Sequence, residues 1–129
     1  MIKFNVQTRS RDDFVDITNE VINAASSLGV TTGTVMVFVP HTTAAVTINE
    51  GADPDVVRDM IKIFDKLVPW QDGYHHAEGN SAAHLKTSMV GSSVLIAFVD
   101  GKPQLGTWQT IWFCDFDGPR NRTVQITKL

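Results

Sequence analysis

The chain has 129 residues, with 11 basic and 14 acidic side chains and a formal net charge of −3. That length suits a single domain over residues 1–129, large enough to bury a real core. A hydrophobic content of 43% excludes a disordered tail or a fibre, and the acidic balance argues against a dedicated nucleic-acid binder, which would carry a strongly basic face.

Ile2–Thr8 reads as a first strand. Asp16 or Thr18 caps a helix whose apolar positions Val21, Ile22, Ala25 and Leu28 keep helical spacing, and Gly29 stops it. Thr34–Val39 is a β-branched run ended by Pro40, and Thr43–Ile48 is a further short strand. Asp53-Pro54-Asp55 starts a second helix, with Asp53 as N-cap, proline in the first turn and a carboxylate at the positive end of the dipole. Val57, Met60, Ile61, Phe64 and Leu67 form its buried stripe, and Pro69 ends it. Asn80 or Ser81 caps a third helix running to about Met89 and closed by Gly91. Val94–Val99 reads as a central strand followed by an Asp100-Gly101 turn. Thr107–Phe116 is a long strand with Trp108, Trp112, Cys114 and Phe116 on one face. After the Asp117-Gly118-Pro119 turn, Thr123–Leu129 supplies the last strand. About seven strands and three helices, with helices interspersed among hairpin-like pairs, predict an α+β fold with antiparallel or mixed sheets.

A lone cysteine, Cys114, rules out a disulfide framework within the chain and fits a reducing compartment. Met1–Val6 lacks the apolar run of a signal peptide, and Val35–Val39 and Val94–Val99 are too short to cross a bilayer. The expectation is a cytoplasmic protein with neither membrane nor nucleic-acid partners.

The histidines carry the chemical signal. His41 follows a strand, and His75, His76 and His84 share a Gly-rich polar segment with Glu78. Imidazole and carboxylate suit zinc and similar divalent ions, but the spacing matches no standard metal motif. From the residues alone the cluster reads equally as a metal or catalytic site or as a polar surface loop, with His75 an exposed neighbour. Asn49-Glu50 reads as a turn with a solvated carboxylate. Asp53 and Asp55 are explained as caps, and Cys114 as a buried, inert thiol. Arg120 and Arg122 flank a Gly-Pro turn, where a guanidinium can clamp phosphate in bidentate fashion or simply be solvated. Charge is uneven: residues 1–79 hold six basic and eleven acidic side chains, residues 80–129 five and three. The C-terminal part is thereby mildly suited to a phosphorylated small molecule.

Four segments in order resemble the YjbQ-like family, also called secondary thiamine-phosphate synthases. They are His41-Thr42-Thr43-Ala44; Asn49-Glu50 with Asp53-Pro54; Tyr74-x-His76-x-Glu78-Gly79-Asn80 leading to Ala83-His84-Leu85-Lys86; and Leu105-Gly106-Thr107-Trp108-Gln109 followed by Asp117-Gly118-Pro119-Arg120. The resemblance implies an α+β fold on antiparallel sheets, assembled as a homotrimer. It implies that His41, His76 and His84 converge on a metal, with Glu50 and Glu78 nearby as catalytic carboxylates. The family name implies joining hydroxymethylpyrimidine diphosphate to thiazole phosphate with release of diphosphate. On that reading the metal is zinc, or magnesium with the diphosphate, and Asn49, Lys86, Gln109 and Arg120 bind the phosphorylated substrate. The alternatives are a zinc-dependent hydrolase and a non-catalytic small-ligand-binding or regulatory module with a structural metal.

Overall fold

A computed structural model describes all residues, 1–129. In chain order the elements are β1 (Ile2–Gln7), β2 (Asp13–Asp16), α1 (Thr18–Ser27), β3 (Gly33–Phe38), β4 (Ala44–Glu50), α2 (Pro54–Leu67), α3 (Ser81–Val90), β5 (Ser93–Val99), β6 (Lys102–Pro103), β7 (Gln109–Asp115) and β8 (Asn121–Lys128). The fold is α+β. Every strand pairing is antiparallel. Strands β1-β8-β3-β5-β6 form one sheet and β2-β7-β4 the other.

The period-two rule places the layers. In β4, Ala44 and Val46 enter the main core while Ala45 enters a second one. In β7, Ile111 and Phe113 join the main core and Cys114 the second. The small sheet is therefore buried on both faces. One face meets the five-stranded sheet and α1, which contributes Val21, Ala24 and Ala25. The other is roofed by Val57, Met60, Ile61 and Phe64 of α2, four of the five stripe residues expected, and by Ala83 of α3. The fifth, Leu67, is 65% exposed at the end of α2.

Side-chain capping follows the sequence at α2 alone: the N-cap of α1 is Ile17 rather than Asp16 or Thr18, and Asn80, the N-cap of α3, makes no side-chain capping bond. Asp53 caps α2 through its side chain, accepting from the amide of Asp55, with Pro54 in the first turn. At α1, Asp16 Oδ1 accepts from Thr18 N at 2.9 Å. Gly91 closes α3 at φ +104°, a region that disfavours any side chain. The two strands absent from the sequence reading, β2 and β6, are four and two residues long. Such short segments carry too little alternation to be seen, and pairing with a long neighbour creates them. No helix is long and apolar enough to cross a membrane.

Candidate functional site: a polar cleft at one end of the small sheet

The cleft is built on a buried ion pair. Asp115, at the end of β7, lies on the same strand face as Ile111 and Phe113 and is fully buried. A carboxylate in that position needs a partner. Arg122 of β8 supplies it in bidentate fashion, with Nη2 to Oδ1 at 2.7 Å and Nε to Oδ2 at 3.1 Å. Thr8 donates its hydroxyl to Asp115 Oδ2 at 2.7 Å, and Arg122 Nη2 also donates to Thr43 Oγ1 at 2.9 Å. Loops from four strand ends are thereby tied together.

The rest of the cleft hangs on this network. Asp117 N donates to Asp115 Oδ1, and the Asp117 carboxylate accepts from Asn80 Nδ2 at 2.8 Å and Arg120 Nη2 at 2.9 Å. The turn is tight: a Cβ on Gly118 would lie 2.3 Å from the Ser10 carbonyl oxygen. Arg120 uses Nε and Nη2 on Asp117, which leaves Nη1 without a protein partner on a side chain 52% exposed. His76 and His84 meet edge to face at 5.4 Å between ring centres, and His76 Nε2 lies 3.9 Å from Glu78 Oε2.

His41 is held differently. Strand β3 ends at Phe38, opposite Gln125, so the Thr123 amide of β8 has no strand partner on that side. It donates instead to His41 Nε2 at 3.0 Å. The lone pair of Nε2 is thus occupied, and the ring proton resides on Nδ1. Burial and the nearby Arg122 guanidinium push the His41 pKa below its ordinary value. His41 is therefore a neutral donor at pH 7. The resulting cleft, about 430 Å³, is lined by eleven residues, none of them hydrophobic.

Five of the expected site residues, His41, His76, Glu78, His84 and Arg120, share this cleft. Asn49, Glu50 and Gln109 do not. Glu50 ends β4 paired with Gln109, while His41 precedes the same strand, and seven residues of strand separate them by about 20 Å. Their side chains are engaged locally. Asn49 Oδ1 accepts from Glu50 N, Glu50 Oε2 from Ala52 N, and Gln109 Oε1 from Gly106 N. Lys86 is also elsewhere: wholly buried, it pairs with Asp12 and Asp65. Positions two apart on a helix face different ways, so α3 cannot send both His84 and Lys86 to one site. Cys114 is buried, and burial pushes its thiol far up, out of nucleophilic range. Asn80, Thr43, Asp115 and Asp117 were not expected in the site. The one legible signal was Asp115, a charge out of pattern on an apolar strand face.

The implied metal centre does not fit these residues. No three His, Cys, Asp or Glu side chains are grouped to hold an ion. His41 has its acceptor nitrogen committed to Thr123, so it offers no free lone pair.

The family described as "UPF0047 protein YjbQ-like" matches residues 2–129. The UPF0047 protein YugU of Bacillus subtilis is 49% identical over 122 residues, covering 94% of this chain and 92% of that protein. A UPF0047 protein of Methanocaldococcus jannaschii is 49% identical over 126 residues, covering 98% and 91%. Among solved structures, an uncharacterized YjbQ/UPF0047 family protein from Clostridium acetobutylicum superimposes with a TM-score of 0.97 at 50% identity over all of both chains. These relatives are named only by the UPF0047 designation, and nothing in those names indicates a thiamine-phosphate synthase. Together with the ungrouped ligand set, this overturns the expectation of a metal-binding thiamine-phosphate synthase, and the zinc hydrolase and structural-metal alternatives fall with the same ligand set. The chain belongs to the UPF0047 YjbQ-like family.

Proposed function

We propose that the cleft binds a phosphorylated small molecule and handles its protons. The observation that carries this reading is a wholly polar cleft in which Arg120 Nη1 has no protein partner. A guanidinium fixed by Asp117 on one edge offers its other edge to phosphate oxygens with little rotamer freedom left to lose. His41 adds a neutral Nδ1–H donor. His76 and His84 bring two imidazoles, the side chains suited to giving and accepting protons, and the Glu78 carboxylate lies 3.9 Å from His76 Nε2 as a charged neighbour beyond hydrogen-bond distance. That set equips the cleft for general acid–base work on a bound phosphate ester, with no step assigned to a metal.

Inorganic phosphate is the direct probe. Isothermal titration and histidine-selective NMR of the wild type should show binding, with the His41, His76 and His84 ring signals moving. Arg120→Ala should weaken it about tenfold or more, a difference of about 1.4 kcal/mol, while melting within a few degrees of wild type. Unmoved ring signals at millimolar phosphate would reject the reading.

Self-association is a further part of the proposal, since the resemblance implies a trimer. An apolar surface supports it. Met36 and Leu95 oppose each other across β3 and β5, and Leu95 and Val99 are 62% and 45% exposed on the sheet face away from the core. Light scattering should give three chain masses, and a stable monomer at micromolar concentration would contradict it.

A further inference from the structure

A second cavity, about 510 Å³, adjoins the cleft and shares His41, Thr42 and His84 with it. Its remaining walls are Thr87, Ser88, Gly91 and Ser92, with no hydrophobic residue among them. Helical spacing explains the alignment. His84, Thr87 and Ser88 stand at i, i+3 and i+4 of α3, so one face of the helix runs from the phosphate cleft into the groove. At its far end Gly91 leaves space: a Cβ there would meet no atom within 4 Å.

One atom in this wall is out of order. Thr87 is 8% exposed, yet its Oγ1 is buried and without a hydrogen-bond partner. Buried hydroxyls are nearly always paired, and a helical threonine ordinarily turns back to the carbonyl four residues earlier. Thr87 does neither. The groove it lines offers hydroxyls that both donate and accept, which is the complement of vicinal hydroxyl groups. Apart from the two imidazoles it has no aromatic face for stacking a base, and it has no apolar wall for an acyl chain. The cavity on the other side of His76 and His84 differs, because Tyr74 and Leu85 line it.

We propose that this groove seats the polyhydroxylated body of the ligand whose phosphate occupies the Arg120 cleft, which makes the ligand class a sugar phosphate. The proposal rests on the phosphate reading, and the experiment separates the two. The full chain is titrated with inorganic phosphate, ribose 5-phosphate, glucose 6-phosphate and free ribose. Sugar phosphates should bind about tenfold tighter than inorganic phosphate. Thr87→Val, which keeps the shape, and Ser88→Ala, at an exposed position, should each remove part of that gain and leave inorganic phosphate binding unchanged. Sugar phosphates binding no tighter than phosphate would overturn the sugar proposal alone. Free ribose binding without phosphate binding would overturn the phosphate reading and with it the sugar-phosphate class, leaving the groove a site for free polyols, and absence of both would overturn the two together. A full gain retained in both variants would remove the groove from the ligand's path.

Discussion

Two buried cations, both near the histidines in sequence or space, are used in opposite ways. The Arg122 and Lys86 side chains are 5% and 0% exposed, and each is held by aspartate. Arg122 lies in a strand, bidentate on Asp115, and lines the cleft beside His41. Lys86 lies between Asp12, in the loop after β1, and Asp65 of α2, with its ammonium 5.8 Å from the Phe116 ring centre. It clamps the helical roof to the small sheet and touches no ligand surface. A buried positive charge is thus no evidence of ligand binding. What separates the two is whether the strand or helix carrying the charge aims it at the same space as the histidines.

The largest effects test that division. Arg122→Met leaves the buried Asp115 carboxylate without its counter-charge, which costs about 3–5 kcal/mol, measurable by urea unfolding. Lys86→Met should cost less, because Asp12 and the part-exposed Asp65 keep Arg11 as a partner. Among molecules that remain folded, Lys86→Met should bind inorganic phosphate as the wild type does, and Arg122→Met should not. Equal losses of phosphate affinity would erase the distinction. A smaller effect belongs to the rim of the Lys86 clamp. Arg11 reaches Asp12 and Asp65 with 42% of its side chain exposed and stacks 4.4 Å above the Trp70 ring. Arg11→Ala should cost about 1 kcal/mol or less. A loss as large as that of Lys86→Met would show that the clamp is a cooperative unit.

The smallest effect concerns pH. His41 is held below its ordinary pKa by burial first and by Arg122 second. The unfolded chain therefore takes up this proton more readily than the folded one. The contribution of His41 to stability is complete above about pH 6.5 and is lost progressively as pH falls below it. His41→Gln should flatten this part of the pH dependence of the unfolding midpoint. By NMR titration, Arg122→Met should raise the His41 pKa and Lys86→Met should leave it in place. A His41 titration indifferent to Arg122 would sever the link between ion pair and cleft.

Local signals explain what the sequence made legible. The Asp53-Pro54 start of α2, the Gly91 stop of α3 and the alternating faces of β7 are encoded within a few residues. So are the histidine-rich segment and the Arg120 turn, because α3, its preceding loop and the β7–β8 turn each carry their own side chains into the cleft. Spatial separation was not encoded in this way. Asn49, Glu50 and Gln109 read as neighbours of His41 in a motif, but an extended strand carries residues nine apart to opposite ends of a sheet. Nor does a sequence show that a side chain is already engaged, as Lys86 is by Asp12 and Asp65 and His41 by Thr123.

That last contact makes His41 an honorary rung of the sheet, an imidazole standing where the next residue of β3 would have accepted a backbone proton. The Thr123 amide is consequently guarded by a titratable acceptor rather than by a carbonyl. Protonating His41 converts that acceptor into a donor and releases the amide to solvent, so hydrogen–deuterium exchange at a single backbone position should report the charge of a side chain in the cleft. A ligand that draws on the Nδ1 proton makes Nε2 a better acceptor and slows the same exchange. The molecule thus carries its own probe of cleft occupancy, readable at Thr123 without any label on the histidines.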